Sequence, residues 1–164
     1  MFIIDCYTGL RFSDLVSLRK ENINRARDVV KITTRKTGEV VTIRLKGYVR
    51  EILKKYGGTL PEPISNQKMN DYLKELGNLA EIEKDIIITQ TKGCKRQSET
   101  FKKWELITTL TARRSFATNA YLLNVPSISI MKITGHRTER SFLKYIKISQ
   151  EDNANKLINH PFFS

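Results

Sequence analysis

Apolar positions recur at helical spacing along most of the chain and alternate in only two short windows. Phe2, Ile3, Cys6 and Tyr7 keep helical spacing as far as Gly9, which predicts the end of a buried helix with a glycine stop. Ser13-Asp14 predicts an N-cap and an acidic first turn for a short helix through Leu15, Val16, Leu18 and Arg19. Residues 29–35 are rich in β-branched side chains, while Val41, Ile43 and Leu45 alternate with Thr42 and Arg44. Residues 36–39 (Lys-Thr-Gly-Glu) lie between the two windows and predict a hairpin with a cationic tip. A third extended piece is predicted over residues 85–90.

The remainder reads helical. Val49, Ile52, Leu53 and Tyr56 form a stripe that stops at Gly57-Gly58, and the prolines at 61 and 63 make a rigid connector. Ser65 caps a predicted helix bearing Met69, Tyr72, Leu73, Leu76 and Leu79. Phe116, Ala120 and Leu123 mark another, which Pro126 cannot continue. Ile128, Ile130, Met131 and Ile133 lead to Gly135, and Phe142, Tyr145 and Ile146 make the next stripe after Thr138. Residues 149–152 resemble a capping box for a last helix with Ala154, Leu157 and Ile158. The pattern predicts an α+β chain, mostly helical, with a small antiparallel β-hairpin or three-stranded sheet on one edge.

Composition narrows the function. The 164 residues suit one domain, and 40% hydrophobic content excludes a linker or a disordered tail. No apolar run approaches the roughly 18 residues of a membrane span. The first residues lack the cationic start and small-residue cleavage site of a signal peptide, so a cytoplasmic location is expected. Cys6 and Cys94 are far apart, which fits a reducing compartment, and with only His136 and His160 they suggest no zinc site. The net charge of +12 points to a polyanion, nucleic acid above all.

Three segments are more specific than a solvated basic surface. They are TGLRFSDL over residues 8–15, TARRSFAT over 111–118, and TGHR over 134–137 with Tyr145 nine residues after the histidine. Taken singly, each has a bland reading. Tyr145 lies on a core stripe, His136 follows a turn glycine, and Lys36 is a charge on a hairpin where Lys31 and Arg35 compete with it. Arg113 and Arg114 could be ordinary phosphate clamps at a helix start. Arg11 is different, because a charge between two buried stripes should be partly desolvated and therefore paired, with Asp14 the nearest acid.

In this order and spacing the segments resemble the catalytic domain of tyrosine recombinases, the phage and transposon integrase family. Phrases such as KTGEVVTIRL and ITGHRTERSFLKYIK are similar to integrases of Bacteroides-type mobile elements. The resemblance covers nearly the whole chain. It implies Arg11, Lys36, Arg113, His136 and Tyr145 as catalytic residues, Asp14 as a buttress, and Arg35, Arg114, Arg137 and Lys144 as DNA contacts. It implies site-specific cutting and rejoining of double-stranded DNA through a 3′-phosphotyrosine, on DNA as a homo-tetramer and alone as a monomer, in a bacterial, nucleoid-associated setting. No cofactor, metal or membrane partner is implied.

The chemistry suits those residue types. Attack on a phosphodiester builds charge on its non-bridging oxygens, and two guanidiniums can fork onto them. A phenol titrates near pH 10, so it needs a base or nearby cations to act at neutral pH. The leaving sugar oxygen needs a proton, which a lysine on a hairpin tip can give.

Two departures stand out. The family's usual H-x-x-R places histidine three residues before the second arginine, and here that residue is Leu110. Leucine carries no proton and accepts none. The opening inside an apolar pattern leads us to expect a catalytic domain over 1–164 without its first helices and N-terminal DNA-clamping domain. Residues 149–164, with Phe162 and Phe163, are candidates for contact with another protomer or for folding back on their own domain. The alternative within the family is a catalytically impaired DNA-binding fragment. A basic RNA-binding protein would explain the charge, but not the order Arg, Lys, Arg, His, Tyr.

Overall fold

Alternation in the first extended windows builds a three-stranded antiparallel sheet of β1 (Ile23–Asn24), β2 (Val29–Thr33) and β3 (Val40–Arg44). The pairs Val30 with Ile43 and Ile32 with Val41 put four β-branched side chains on one buried face. Each contributes roughly 1.5–3 kcal/mol by leaving water. Residues 34–39 close the hairpin, with the Thr34 N–H donating to the Glu39 carbonyl and the Gly38 N–H to the Thr34 carbonyl, both at 2.9 Å. The computed structural model describes residues 1–93, 95–158 and 161–162. Expectations placed on Cys94, His160 and Phe163 lie outside the described residues.

The described residues divide into two compact units, Met1–Pro63 with Ala112–Ser164 and Ile64–Thr111. In the first unit the buried sheet face meets α1 (Phe2–Thr8), α2 (Phe12–Leu15) and α3 (Gly47–Lys55) through Ile4, Leu10, Leu15, Val49 and Leu53. α1 ends at Gly9 in the left-handed conformation, as its sequence predicts. Its buried face, however, is Ile4, Asp5 and Thr8, while Ile3 is exposed. The N-cap of α2 is Arg11, and Ser13 lies inside the helix. Asp14 turns its carboxylate to the hairpin backbone rather than to its own helix terminus.

A second cluster of the same unit forms where α5 (Thr109–Leu122, from Ala112 onward), α6 (Ser127–Thr134) and α7 (Glu139–Leu143) meet around Ala117, Ile130 and Phe142. α6 also packs on β3. Pro126 is the N-cap of α6, where its missing N–H costs nothing. Tyr145 lies beyond the last residue of α7, and its half-buried ring packs on this second cluster. α8 (Gln150–Leu157) opens with the predicted capping box between Ser149 and Asp152.

In the second unit, Ser65 caps α4 (Asn66–Leu79) by accepting from the Lys68 N–H at 3.2 Å. Leu73 is the buried member of its stripe, whereas Leu76 and Leu79 are exposed. The extended piece over residues 85–90 is β4 (Asp85–Lys92), paired antiparallel with β5 (Lys95–Lys102) as a separate two-stranded ribbon. The KRQSETFK sequence of β5 has no apolar alternation to announce it. Among the described residues, no helix is long and apolar enough to cross a membrane.

Candidate active site

The site grows from two helix ends. The last carbonyls of a helix have no partner within it and attract cations or donors. At the end of α1 the Gly9 carbonyl accepts from Arg113 Nη1 at 2.7 Å. At the end of α6 the Thr134 carbonyl accepts from Arg113 Nη2, and the next carbonyl, of Gly135, accepts from Arg11 Nη2 at 3.3 Å. One buried guanidinium thus joins two helix termini, and a second lies beside it. Arg113 is only 3% exposed. Burial, with the Arg11 charge second, lowers it to about 10, while Tyr145 and Asp5 favour its charged form. It remains a cation at neutral pH.

Gly135 sits in the left-handed conformation at φ 59°, and a Cβ there would stand 3.4 Å from Arg11 Nη1 and 3.9 Å from Thr37 Oγ1. Those are ordinary contact distances, so it is the left-handed backbone, not crowding, that favours glycine here.

His136 follows directly. Its Nδ1 lies 2.7 Å from Thr134 Oγ1, and its ring centroid is 4.5 Å from that of Tyr145, edge to face. Burial first, then Arg113 and Arg11, push the imidazole down to about 4, so it is neutral at physiological pH. Arg113 Cζ is 5.7 Å and Arg114 Cζ 6.0 Å from the Tyr145 ring centre. Thr118 Oγ1 donates to the Tyr145 carbonyl at 3.2 Å and accepts from the Lys147 N–H at 3.1 Å, fixing the backbone that carries the phenol.

Asp14 is buried at 1% exposure. Its Oδ1 accepts the Arg35 N–H at 2.8 Å, and Oδ2 stands 3.9 Å from Arg11 Nη1. It therefore links the first arginine to the hairpin tip. Lys36 itself is exposed, and the contact tying the tip to the site comes from its neighbour Arg35, whose N–H donates to Asp14. Arg137 reaches Glu39 of the same turn at 3.7 Å across an exposed ion pair. The side chains of Arg35, Arg114 and Lys144 are exposed. Leu110 is in the first turn of α5 at 39% exposure. The structure thus brings together Arg11, Arg113, His136, Tyr145 and Asp14, and sets Lys36 on a tip anchored beside them.

Residues 1–152 match the phage integrase family. The chain belongs to that family. No curated protein matches it. The crystal structure of XerA recombinase aligns with a TM-score of 0.67 at 15% identity, over 97% of this chain and 56% of that one. The Tn1549 transposon integrase in complex with a circular intermediate DNA aligns at 0.63 and 17%, over 94% and 55%. XerH site-specific recombinase, bound to a palindromic difH substrate in a post-cleavage complex, aligns at 0.66 and 15%, over 96% and 44%. These likenesses establish the tyrosine recombinase catalytic fold, and the chain spans about half the length of each.

Two residues that the motifs leave unassigned bear on the site of this integrase-family chain, one by its charge and one by its hydrogen bonds. Asp5 on α1 is 1% exposed, with its Oδ1 unpartnered among the described residues. Burial raises its carboxyl to about 7 against the opposing charges of Arg113 and the chain's amino terminus. An acid among Ile3, Ile4 and Tyr7 was the only sequence signal for it. Thr134 lies inside the TGHR segment, but nothing in its type announces that it holds both Arg113 and His136.

Proposed function

We propose that this chain is the strand-cutting and rejoining part of a site-specific DNA recombinase, acting on double-stranded DNA through a 3′-phosphotyrosine for the integration of a mobile element. The observation that carries the reading is the meeting of two arginines at one helix end, beside a neutral histidine and a tyrosine. Each terminal nitrogen of Arg113 spends one proton on a carbonyl and keeps another, so the guanidinium can be held and still fork onto a phosphate. Arg11 supplies the second fork. Tyr145 is the nucleophile, and Lys36 at the anchored tip protonates the leaving 5′ oxygen. The phosphotyrosine conserves the ester's energy, so the same residues run religation backwards. Arg35, Arg114, Arg137 and Lys144 extend the positive surface along the duplex. The DNA complexes of the Tn1549 integrase and XerH support double-stranded DNA as partner. A homo-tetramer on DNA, in a bacterial cytoplasm at the nucleoid, follows from this reading, and the wording of the sequence supports a mobile element of Bacteroides type as the one integrated.

The test is a nicked duplex carrying the element's attachment site, from which the cleaved strand diffuses away and traps the covalent complex. A protein–DNA adduct that Tyr145→Phe abolishes supports the reading. Binding without an adduct, in the folded wild-type chain, favours a second reading, a DNA-binding relative with impaired catalysis. Leu110 is the observation behind that alternative, since it offers no group for proton transfer.

A further inference from the structure

The Thr134 hydroxyl faces three acceptor-capable atoms, of which the Met131 carbonyl, at 3.5 Å, is much the farthest. Its Oγ1 is 2.7 Å from the Ile130 carbonyl and 2.7 Å from His136 Nδ1. A hydroxyl has one proton. A carbonyl oxygen cannot donate, so two oxygens at that distance need the Thr134 proton between them. The hydroxyl oxygen is then left as an acceptor, and the hydrogen bond to the imidazole needs a proton on Nδ1. A neutral imidazole carries a single N–H, so Nε2 holds the lone pair.

Burial first, then the guanidiniums of Arg113 and Arg11, keep this ring neutral in the free protein. A phosphate anion held by the same two arginines offsets their charge and lets the ring take a proton. Thr134 also fixes one of them, because its own carbonyl accepts from Arg113 Nη2. One residue, 1% exposed, thereby holds the second arginine by its backbone and the imidazole by its side chain.

We propose that Thr134 is a positioning residue that fixes His136 as the Nδ1–H tautomer, leaving Nε2 bare to take the phenolic proton of Tyr145 during strand cleavage. The base role rests on the function proposed above. The tautomer does not. In the step, the bond from Tyr145 Oη to phosphorus forms as the bond from phosphorus to the 5′ oxygen breaks. The phenolic proton passes to His136 Nε2, and Lys36 Nζ gives a proton to the leaving oxygen. On religation both protons return. This assignment gives the chain a proton acceptor that does not depend on position 110.

Nitrogen-15 NMR of the imidazoles in the full chain reads the tautomer directly, with His136→Asn assigning the signal. The wild type should show Nδ1 protonated near neutral pH. Thr134→Val, which keeps the shape and removes the hydroxyl, should move the proton to Nε2 or mix the two forms. It should also slow adduct formation on the nicked duplex by roughly 10²-fold, the low end for a positioned acid–base group. Thr134→Ser restores the hydroxyl and should restore both readouts. An Nε2–H tautomer in the wild type overturns the proposal, as does a Thr134→Val protein that keeps Nδ1–H and full cleavage rate. If Thr134→Val does not fold, the wild-type and Thr134→Ser spectra still decide the tautomer. An Nδ1–H signal with no Tyr145-dependent adduct supports the tautomer and removes the base role together with the proposed function.

Discussion

Asp14 accepts the backbone N–H of Arg35 at 2.8 Å, so a buried carboxylate beside the first arginine also holds the base of the hairpin tip. Asp14→Ala should cost about 1–3 kcal/mol, the usual loss when a buried hydrogen-bonding group loses its partner. Asp14→Asn keeps the acceptor oxygen and should cost less. Urea unfolding measures both, and faster amide exchange at Arg35 in the alanine variant locates the loosening. Because Lys36 follows Arg35 in the turn, the alanine variant should lose cleavage rate while keeping DNA affinity.

Gly135→Ala should damage the site beyond its cost to the fold. A left-handed alanine costs roughly 1–2 kcal/mol, and the strain falls on the backbone whose carbonyl accepts from Arg11 Nη2. Gly57 shares the backbone conformation at φ 65° with open space around it, so Gly57→Ala is the matched control. Both variants should lose similar stability in urea. Adduct formation should fall in Gly135→Ala alone, and an equal fall in the control would remove the role given to the Gly135 carbonyl.

The sequence made the scaffold of this site readable wherever local chemistry decides. The alternation at Val41, Ile43 and Leu45, the Ser65 cap and the stops at Gly9 and Pro126 are all short-range effects. What escaped it depends on distant partners. Ser13-Asp14 has the form of a cap, yet the carboxylate is claimed by Arg35, twenty-one residues away. Strand β5 is polar except for Phe101, so only its pairing with β4 reveals it. Motif order gathered Arg11, Arg113, His136 and Tyr145, but Asp5 and Thr134 act through burial and a hydroxyl proton, which no spacing encodes.

The two perturbed acid–base groups of the site should pull stability in opposite directions with pH. His136 is lowered to about 4, so between about pH 4 and 6.5 the unfolded chain holds a proton that the folded chain lacks, and this contribution makes stability rise with pH. Asp5 is raised to about 7, so from about pH 4 to 7 the folded chain holds a proton that the unfolded chain has released. Its contribution makes stability fall as pH rises, by at most about 1.4 kcal/mol per pH unit. In the wild type the two contributions oppose each other over this window. Asp5→Asn should expose the rising limb, and His136→Gln the falling one. Urea unfolding at steps between about pH 4 and 8 checks both, and parallel profiles for the two variants would contradict the assignment.

Leu110→His is the substitution expected to raise activity. A leucine at 39% exposure still has apolar surface to lose, so stability should fall by about 1 kcal/mol. The new imidazole would stand three residues before Arg113 on α5 and restore the H-x-x-R pattern of the family. A positioned acid–base group contributes about 10²–10⁴-fold, which sets the range for faster adduct formation if proton handling limits the wild type. If His136 already takes the Tyr145 proton, the gain should fall at the bottom of that range or below it. Combining Leu110→His with Thr134→Val separates the two routes. Should position 110 supply an independent acceptor, the double variant recovers much of the rate lost in Thr134→Val. Should it serve the phosphate instead, the two effects add in free energy and the loss persists.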